Sequence, residues 1–336
     1  PLKDKPQNLS EVSIALSFAT ANVRTFYKGQ DGVPGKLHYI RDQFKRLNLH
    51  FLGLQETRTR QGSSTMEAVL RLASGDRQGQ QGVELWLNLE QPYGWRNGKP
   101  LCFDKSHVVV THTSPRYLIA HVQNEYLNFW LAVAYAPQSG IAHKEREEWW
   151  HDFQMLLQEA TSGHDIVIML DANAATGSND DQHIFQFDDK TTSGTPFLRE
   201  LLTAHGLCLP ATSGCHQGEH DTWICPATER GHRIDFVAIP ISWLGTCTLS
   251  RTIPELDLGN TGDHTAVGLE VQWKQYTTMT SSRRTRQLAF DRGSILTSPL
   301  KMSLLAYIPP EWSTDIAQQV EHCNDHLQQE IGRAHV

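Results

Sequence analysis

Two spacings of apolar residues run along the chain, and the points where one gives way to the other mark its elements. Residues 12–19, VSIALSFA, form a β-rich segment that leads to Asn22. Leu37, Ile40, Phe44 and Leu47 then recur at helical spacing and predict an amphipathic helix over 36–47. HFLGLQET follows, with Phe51 to Leu54 as a strand that ends at Gln55 and Glu56. Residues 60–81 are rich in Gly, Ser and Gln and read as a surface loop. Strands are expected at 82–89, 107–112, 115–122 and 128–135, the last ending at Tyr135 before Pro137 stops the pattern. Trp149, Phe153, Leu156, Leu157 and Ala160 give a second amphipathic helix. Ile166 to Leu170 run without a polar break, too short for a helix, and predict a strand buried on both faces. After an irregular polar stretch at 176–194, a short helix runs from Pro196 to about His205, with Phe197, Leu198, Leu201 and Leu202 inward. TWIC, RIDFVAIP and HTAVGLEVQW supply three more strands.

Many strands, few helices and no regular βα alternation argue for two packed sheets with helices outside. Polar residues recur where strands end or turn: Asn22, Glu56, Tyr135, Asp171, Asn173, Thr222, Asp235, Asp263 and His264. The centre of this set is DIVIMLDANAAT, Asp165 to Thr176. Asp171 and Asn173, two positions apart, project the same way if the strand geometry persists. Taken alone, such a pair also reads as a strand-ending turn. Repeated at so many strand ends, it reads as a common rim.

Composition narrows the classes. The chain has 336 residues, so one large domain with an extension or two small domains are both open. Apolar residues at 39% are enough for a real core. A net charge of −7 does not suggest a strongly basic nucleic-acid binder. Clustered active-site carboxylates that a bound metal offsets would also give such a charge. No apolar run reaches membrane-span length, and PLKDKPQNLSE lacks the apolar segment of a signal peptide. The chain starts at Pro1 and is read as a fragment. Its cysteines form no CxxC pair. Cys215 and Cys225 with His216 and His220 fit no standard zinc spacing, so buried free thiols in a reducing compartment are expected.

The ordered set NVRT, LQET, AYAP, LDANA, DTW, RIDFV and GDH resembles the endonuclease/exonuclease/phosphatase superfamily over about Val12 to Trp273. Its members include apurinic endonucleases, deoxyribonuclease, LINE-type retrotransposon endonucleases, deadenylases, sphingomyelinases and inositol-polyphosphate phosphatases. The resemblance implies the DNase I-like fold, a four-layer α/β sandwich of two packed mixed β-sheets flanked by helices. It implies a Mg²⁺-dependent phosphodiester hydrolase, with Mn²⁺ as a substitute ion. Glu56 would be the main metal ligand, with Asn22 and Asp263 beside it. Asp171 would act as general base or water-orienting group, and Asn173 would help to hold the water and the scissile phosphate. His264, paired by Asp235, would contact the phosphate. Tyr135 would donate to a phosphate oxygen or the leaving group, and Thr222 would bond near the phosphate or brace the rim. A catalytically dead member serving as a binding module is the competing class. It is disfavoured because decay breaks such a rim and here the rim is whole.

Three departures narrow the choice of member. Ala21 stands where the family often has Trp, and Gly262 replaces the usual Ser of the last motif. Arg24 occupies the place of an acid in repair-type apurinic enzymes, which weakens the repair reading. Arg24, Arg58 and Arg60 follow rim residues and are candidates to meet phosphates. The NVRT opening and the tail resemble LINE-type elements, so the expected reaction is nicking of DNA to leave a 3′-hydroxyl, with apurinic/apyrimidinic repair or another phosphoesterase activity of the superfamily as the alternative. The tail, 274–329, reads as a basic linker (SSRRTRQLAFDR) followed by a helix-like stretch from Thr314, as before a reverse-transcriptase domain of the same polyprotein. The last residues, EIGRAHV from Glu330, match a translated sequencing-adapter frame and are set aside. A monomer acting inside the cell, in the nucleus, is expected.

Overall fold

The computed structural model describes residues 9–26, 35–75, 81–161, 163–177, 181–185, 190–259 and 263–278. In chain order the elements begin with β1 (Leu9–Asn22), α1 (Lys36–Arg46), β2 (Phe51–Gln55), β3 (Gly62–Met66), β4 (Val69–Ala73), β5 (Val83–Asn88), β6 (Gly94–Arg96) and β7 (Lys99–Leu101). They continue with β8 (Val108–Ser114), β9 (Tyr117–Gln123), β10 (Asn128–Tyr135), α2 (His143–Thr161), β11 (Ile166–Asp171), α3 (Thr195–Ala204) and β12 (Leu207–Cys208). The last are β13 (His216–Gln217), β14 (Trp223–Ile224), β15 (Gly231–His232), β16 (Asp235–Pro240), β17 (Cys247–Ile253) and β18 (Ala266–Thr278).

The first sheet has ten strands in the order β13-β17-β18-β1-β2-β5-β4-β3, with the β6–β7 hairpin joined to β1. The second has six, ordered β12-β16-β11-β10-β9-β8. Each sheet contains a parallel pair at its centre, β1 with β2 and β10 with β11. A parallel pair needs a long crossover, and helices supply it: α1 between β1 and β2, α2 between β10 and β11. Those helices then cover the outer faces.

Three buried clusters correspond to the three interfaces between layers. Between the sheets lie Val12, Ile14, Leu16 and Phe18 of β1 against Leu131, Val133, Val167 and Met169 of β10 and β11. Ile40 and Phe44 of α1 pack on Ala19, Ala21, Leu52, Leu54 and Trp86. Trp150, Phe153 and Leu157 of α2, with Leu198, Leu201 and Leu202 of α3, pack on Ile166, Ile168 and Leu170. The alternation within β1 decides which cluster each residue joins, because successive side chains point to opposite faces. The result is a four-layer α/β sandwich. Every residue of β11 is buried, as a strand with a sheet partner on each side and packed layers on both faces must be. At Gly53 a Cβ would stand 2.6 Å from Met169 Cβ, so this glycine sets how closely the two sheets approach.

Besides short strands such as the β6–β7 pair, two longer stretches differ from the sequence reading. Residues 60–81 contain a hairpin, β3 with β4, rather than a loop throughout. Its inner strand, Val69–Ala73, is largely buried, while Gly62–Ser64 and Thr65 on the edge are exposed and carry no apolar signal. Cys247–Ile253 is also a strand, paired with β18. A register shift between Cys247 and Leu249 breaks its alternation and hides it from a periodicity search. Strand β18 itself continues past Trp273 to Thr278. The helix-like stretch from Thr314 and the EIGRAHV tail lie outside the described residues. No helix among the described residues is long and apolar enough to cross a membrane.

Candidate active site

Sheet registers bring the polar strand ends together. Asn22 sits beside Gln55 in the parallel β1–β2 pair, and Glu56 follows directly. Tyr135 sits beside Asp171 in the parallel β10–β11 pair. Asp171 faces Asp235 across the antiparallel β11–β16 pair. The C-terminal ends of four central strands and the start of β16 therefore open on one mouth between the sheets.

Asn22 joins the two sides of that mouth. Its Nδ2 donates to Glu56 Oε1 and to Asp171 Oδ2, both at 2.9 Å, while its Oδ1 accepts from the Arg24 N–H at 2.9 Å. This network fixes which way the amide points. Asn22 therefore turns its amide donors toward Glu56 and Asp171 and orients both carboxylates, while its oxygen accepts one backbone N–H and keeps a second lone pair. The Tyr135 hydroxyl donates to the same Glu56 oxygen at 2.9 Å and accepts from Gln138 Nε2 at 2.7 Å. In this arrangement the hydroxyl orients Glu56. Asp171 Oδ1 accepts the Asn173 N–H at 3.0 Å, and Asn173 Nδ2 donates to Ala136 O at 2.8 Å.

On the other side, His264 Nδ1 lies 3.1 Å from Asp235 Oδ2. Both side chains are nearly or wholly buried. Thr222 braces this pair from behind: its Oγ1 accepts the N–H groups of Ile234 and Asp235 at 3.0 and 3.1 Å. An isolated bridge between Trp223 and His264 fixes the backbone of the histidine.

Burial and neighbouring charge set the protonation states. Burial, and then the adjacent Asp235 carboxylate, push the Asp171 pKa well above the usual carboxylate range. His264 and the Asn22 and Asn173 donors oppose that rise. For His264, burial alone favours the neutral ring. The Asp235 charge and hydrogen bond, with Asp171 and Asp263, outweigh it and hold the pKa at about 9. Burial, then Glu56 and Asp171, raise the Tyr135 pKa, so the phenol keeps its proton.

Two arginines close the rim. Arg24 Nη1 pairs with Asp263 Oδ2 at 3.2 Å, and Arg58 Nη2 pairs with Glu56 Oε2 at 3.2 Å. Arg60 is exposed. Four non-glycine residues here hold left-handed backbone: Arg24 (φ 59°), Glu56 (φ 53°), Arg58 (φ 54°) and Asn173 (φ 46°). Such conformations are uncommon outside Gly, Asn and Asp, and they cluster at functional sites.

A cation suits the carboxylate oxygens of this mouth. Asp171, Asp235 and His264 bring polar atoms within 4.8 Å of one another, the one such group among the described residues, but a charged His264 offers no lone pair, so the acids are its cation-binding part. Asp235 Oδ1 and Asp263 Oδ1 are buried and have no hydrogen-bond partner. Carboxylate oxygens of this kind are what a hard divalent ion takes. Cys215, His216, His220 and Cys225 form no comparable group among the described residues. Cys208 is buried, but Cys215 is exposed, so buried thiols are only part of the cysteine picture.

Some of the site escapes a sequence reading. Gln138 lies just past AYAP, where nothing marks it. Arg116 places its guanidinium over the Tyr135 ring, 4.9 Å from the centroid, and donates to Tyr135 O at 3.2 Å. Lys36 is buried at the start of α1 and donates to Val23 O. Burial first, and Arg24 second, lower its pKa to about 8, with Asp263 and Asp257 opposing. It occupies a polar turn of an amphipathic helix, where the periodicity gives a lysine to solvent.

Fold and site together define a class of phosphoester-cleaving enzymes. Residues 19–285 match the sequence profile of the Endonuclease/Exonuclease/phosphatase family, and the chain belongs to that family. No curated protein matches it in sequence. Among solved structures it is similar to AP endonuclease LMAP from Leishmania major, at 12% identity and a TM-score of 0.57 over 77% of this chain and 88% of that one. It is similar to the endonuclease domain of TRAS1, a telomere-specific non-LTR retrotransposon, at 13% identity and a TM-score of 0.51, covering 76% and 98%. It is also similar to the 3′-5′ exonuclease NExo from Neisseria meningitidis, at 17% identity and a TM-score of 0.55, covering 77% and 100%. At these identities the likeness establishes the shared fold.

Proposed function

We propose that this chain is a Mg²⁺-dependent phosphodiester hydrolase that nicks DNA and leaves a 3′-hydroxyl, an endonuclease of the retrotransposon type. The observation that carries this reading is the bridge Asn22 makes from Glu56 to Asp171, at 2.9 Å each, beside the Asp235–His264 pair. It assembles on one mouth the acid, amide and imidazole that phosphodiester hydrolysis needs.

Glu56, with Asp263 nearby, would hold Mg²⁺ or Mn²⁺, and such an ion would supply charge neutralisation at the phosphoryl oxygens. Asn22 and Tyr135 fix Glu56 for that task. Asp171 accepts the proton of the attacking water or orients it, and its raised pKa brings it toward the range where a general base works near neutrality. Asn173 holds the water and the phosphate from the adjacent turn. His264, charged, gives its Nδ1 proton to the Asp235 hydrogen bond and so leaves Nε2–H for a phosphate oxygen. Thr222 keeps Asp235 in place. Arg24, where repair enzymes carry an acid, favours the retrotransposon type over the repair type. In this reading the chain acts in the nucleus as a monomer and, in a natural polyprotein, beside a reverse-transcriptase domain.

The test is a plasmid assay. With Mg²⁺ the protein converts supercoiled DNA to open circles whose 3′ ends a polymerase extends, and EDTA abolishes this. Cleavage of an abasic duplex alone moves the assignment to repair. Hydrolysis of sphingomyelin or inositol phosphates alone ends the nucleic-acid reading, and no hydrolysis of any of them ends the enzyme reading.

A further inference from the structure

The two rim arginines are placed on the groups that a cation would use. Arg24 lies on Asp263 and Arg58 on Glu56, each through a single nitrogen–oxygen contact at 3.2 Å. Both guanidinium side chains are substantially exposed, at 40% and 38%, while the acids they pair with are mostly covered, at 12% and 14%. Neither pair is closed: Asp263 Oδ1 and Arg58 Nε are buried without a hydrogen-bond partner. A one-contact, half-exposed ion pair is weakly held.

The main chain at both places is fixed independently of these pairs. The Arg24 N–H donates to Asn22 Oδ1, and the Arg58 N–H donates to Gln81 O at 2.7 Å. Left-handed φ values of 59° and 54° turn both side chains at the rim. Each arginine can therefore leave its acid while its backbone stays. Lys36 differs: its ammonium is buried against Val23 O and serves as a fixed charge.

We propose that Arg24 and Arg58 are exchangeable counter-ions of the acidic rim, displaced from Asp263 and Glu56 by a divalent cation and thereby released to grip the phosphates of DNA. This rests on the cation-dependent nuclease reading above. A guanidinium and a divalent ion compete for the same carboxylate oxygens, so each weakens the other's hold. Once released, a guanidinium meets a phosphate through two parallel N–H donors, better than the single contact it leaves. Cation and DNA then favour each other's binding, and the linkage is reciprocal.

The experiment separates this from the nuclease reading. Mn²⁺ binding to the protein is measured without DNA, from the spin-resonance signal of free Mn²⁺ at constant ionic strength. Arg58→Gln and Arg24→Gln each bind Mn²⁺ about three- to tenfold more tightly than the wild type, whereas Arg58→Lys and Arg24→Lys, which keep the charge, stay near it. Duplex affinity is then read by fluorescence anisotropy in Ca²⁺ and in EDTA. The wild type gains about tenfold from Ca²⁺, and the double Gln variant gains less than about threefold. Gln variants that bind Mn²⁺ no more tightly than the wild type overturn the exchange. A wild type that binds no Mn²⁺ overturns the cation-dependent function itself, a separate failure. The arginines follow different strands, so if one variant misfolds the other still decides.

Discussion

At 3.1 Å, the hydrogen bond from His264 Nδ1 to Asp235 works against the cost of burying a charged ring, and the balance puts the imidazole pKa at about 9. Without the carboxylate the ring returns toward or below the ordinary value of 6.5. Asp235→Asn should therefore leave most activity at pH 6 but remove about thirtyfold at pH 8, from the fraction of imidazolium lost between those pKa values. The same shift has a stability consequence. The folded pKa lies above the unfolded one, so the stability His264 contributes is full below about pH 6.5 and is lost as pH rises through about 9. A pH–rate profile whose alkaline limb stays near pH 9 in Asp235→Asn would show that another group sets it.

Among the elements, β2 and β11 pack closely across the sheet interface, and Gly53 permits it. An added methyl meets Met169 Cβ at 2.6 Å and Val133 Cγ2 at 3.2 Å, so one of the two sheets must move. Gly53→Ala should cost about 1–3 kcal/mol in urea unfolding, as overpacking of a close core does. It should also lower activity, because β2 carries Glu56 and β11 carries Asp171. A neutral effect on both would mean that the sheets slide without loss. The elements that deliver the chemistry were the legible ones. FLGL and IVIML are short apolar runs, buried on both faces, that end on a polar residue, and VSIALSFA alternates along its first half before reaching Asn22. The Val69–Ala73 strand was not legible, because polar Gly62–Thr65 pairs with it from an exposed edge. Neither was the direction of the Asn22 amide or the capture of the Tyr135 hydroxyl by Glu56. Those depend on contacts between strands far apart in sequence, which a linear pattern does not contain. The left-handed turns at Arg24, Glu56 and Arg58 gave no signal, because none of these residues is a glycine.

Across the whole molecule, the site lies on the seam between the two sheets. Asn22 and Glu56 belong to the first sheet, Tyr135, Asp171 and Asp235 to the second, and Asp263 and His264 to the turn that enters β18. Carboxylates from both sides face each other there, in a chain with a net charge of −7. Without a cation, that repulsion opposes closure of the sandwich, and Asn22, Tyr135, His264, Arg116 and the two rim arginines offset part of it. A divalent ion at the seam should therefore stabilise the fold as well as serve the reaction. An ion at a hundred times its Kd adds about 2.7 kcal/mol. For a domain of this size that is a rise of roughly 5–10 °C in Tm between EDTA and saturating Mg²⁺. Glu56→Gln should remove most of the rise, because it leaves one neutral oxygen where the charge was. A control at equal ionic strength with monovalent salt should show little of it, since screening of exposed charges does not reach a buried pair as strongly. An equal rise in the monovalent control would show general screening of the acidic surface and would place the ion away from the seam.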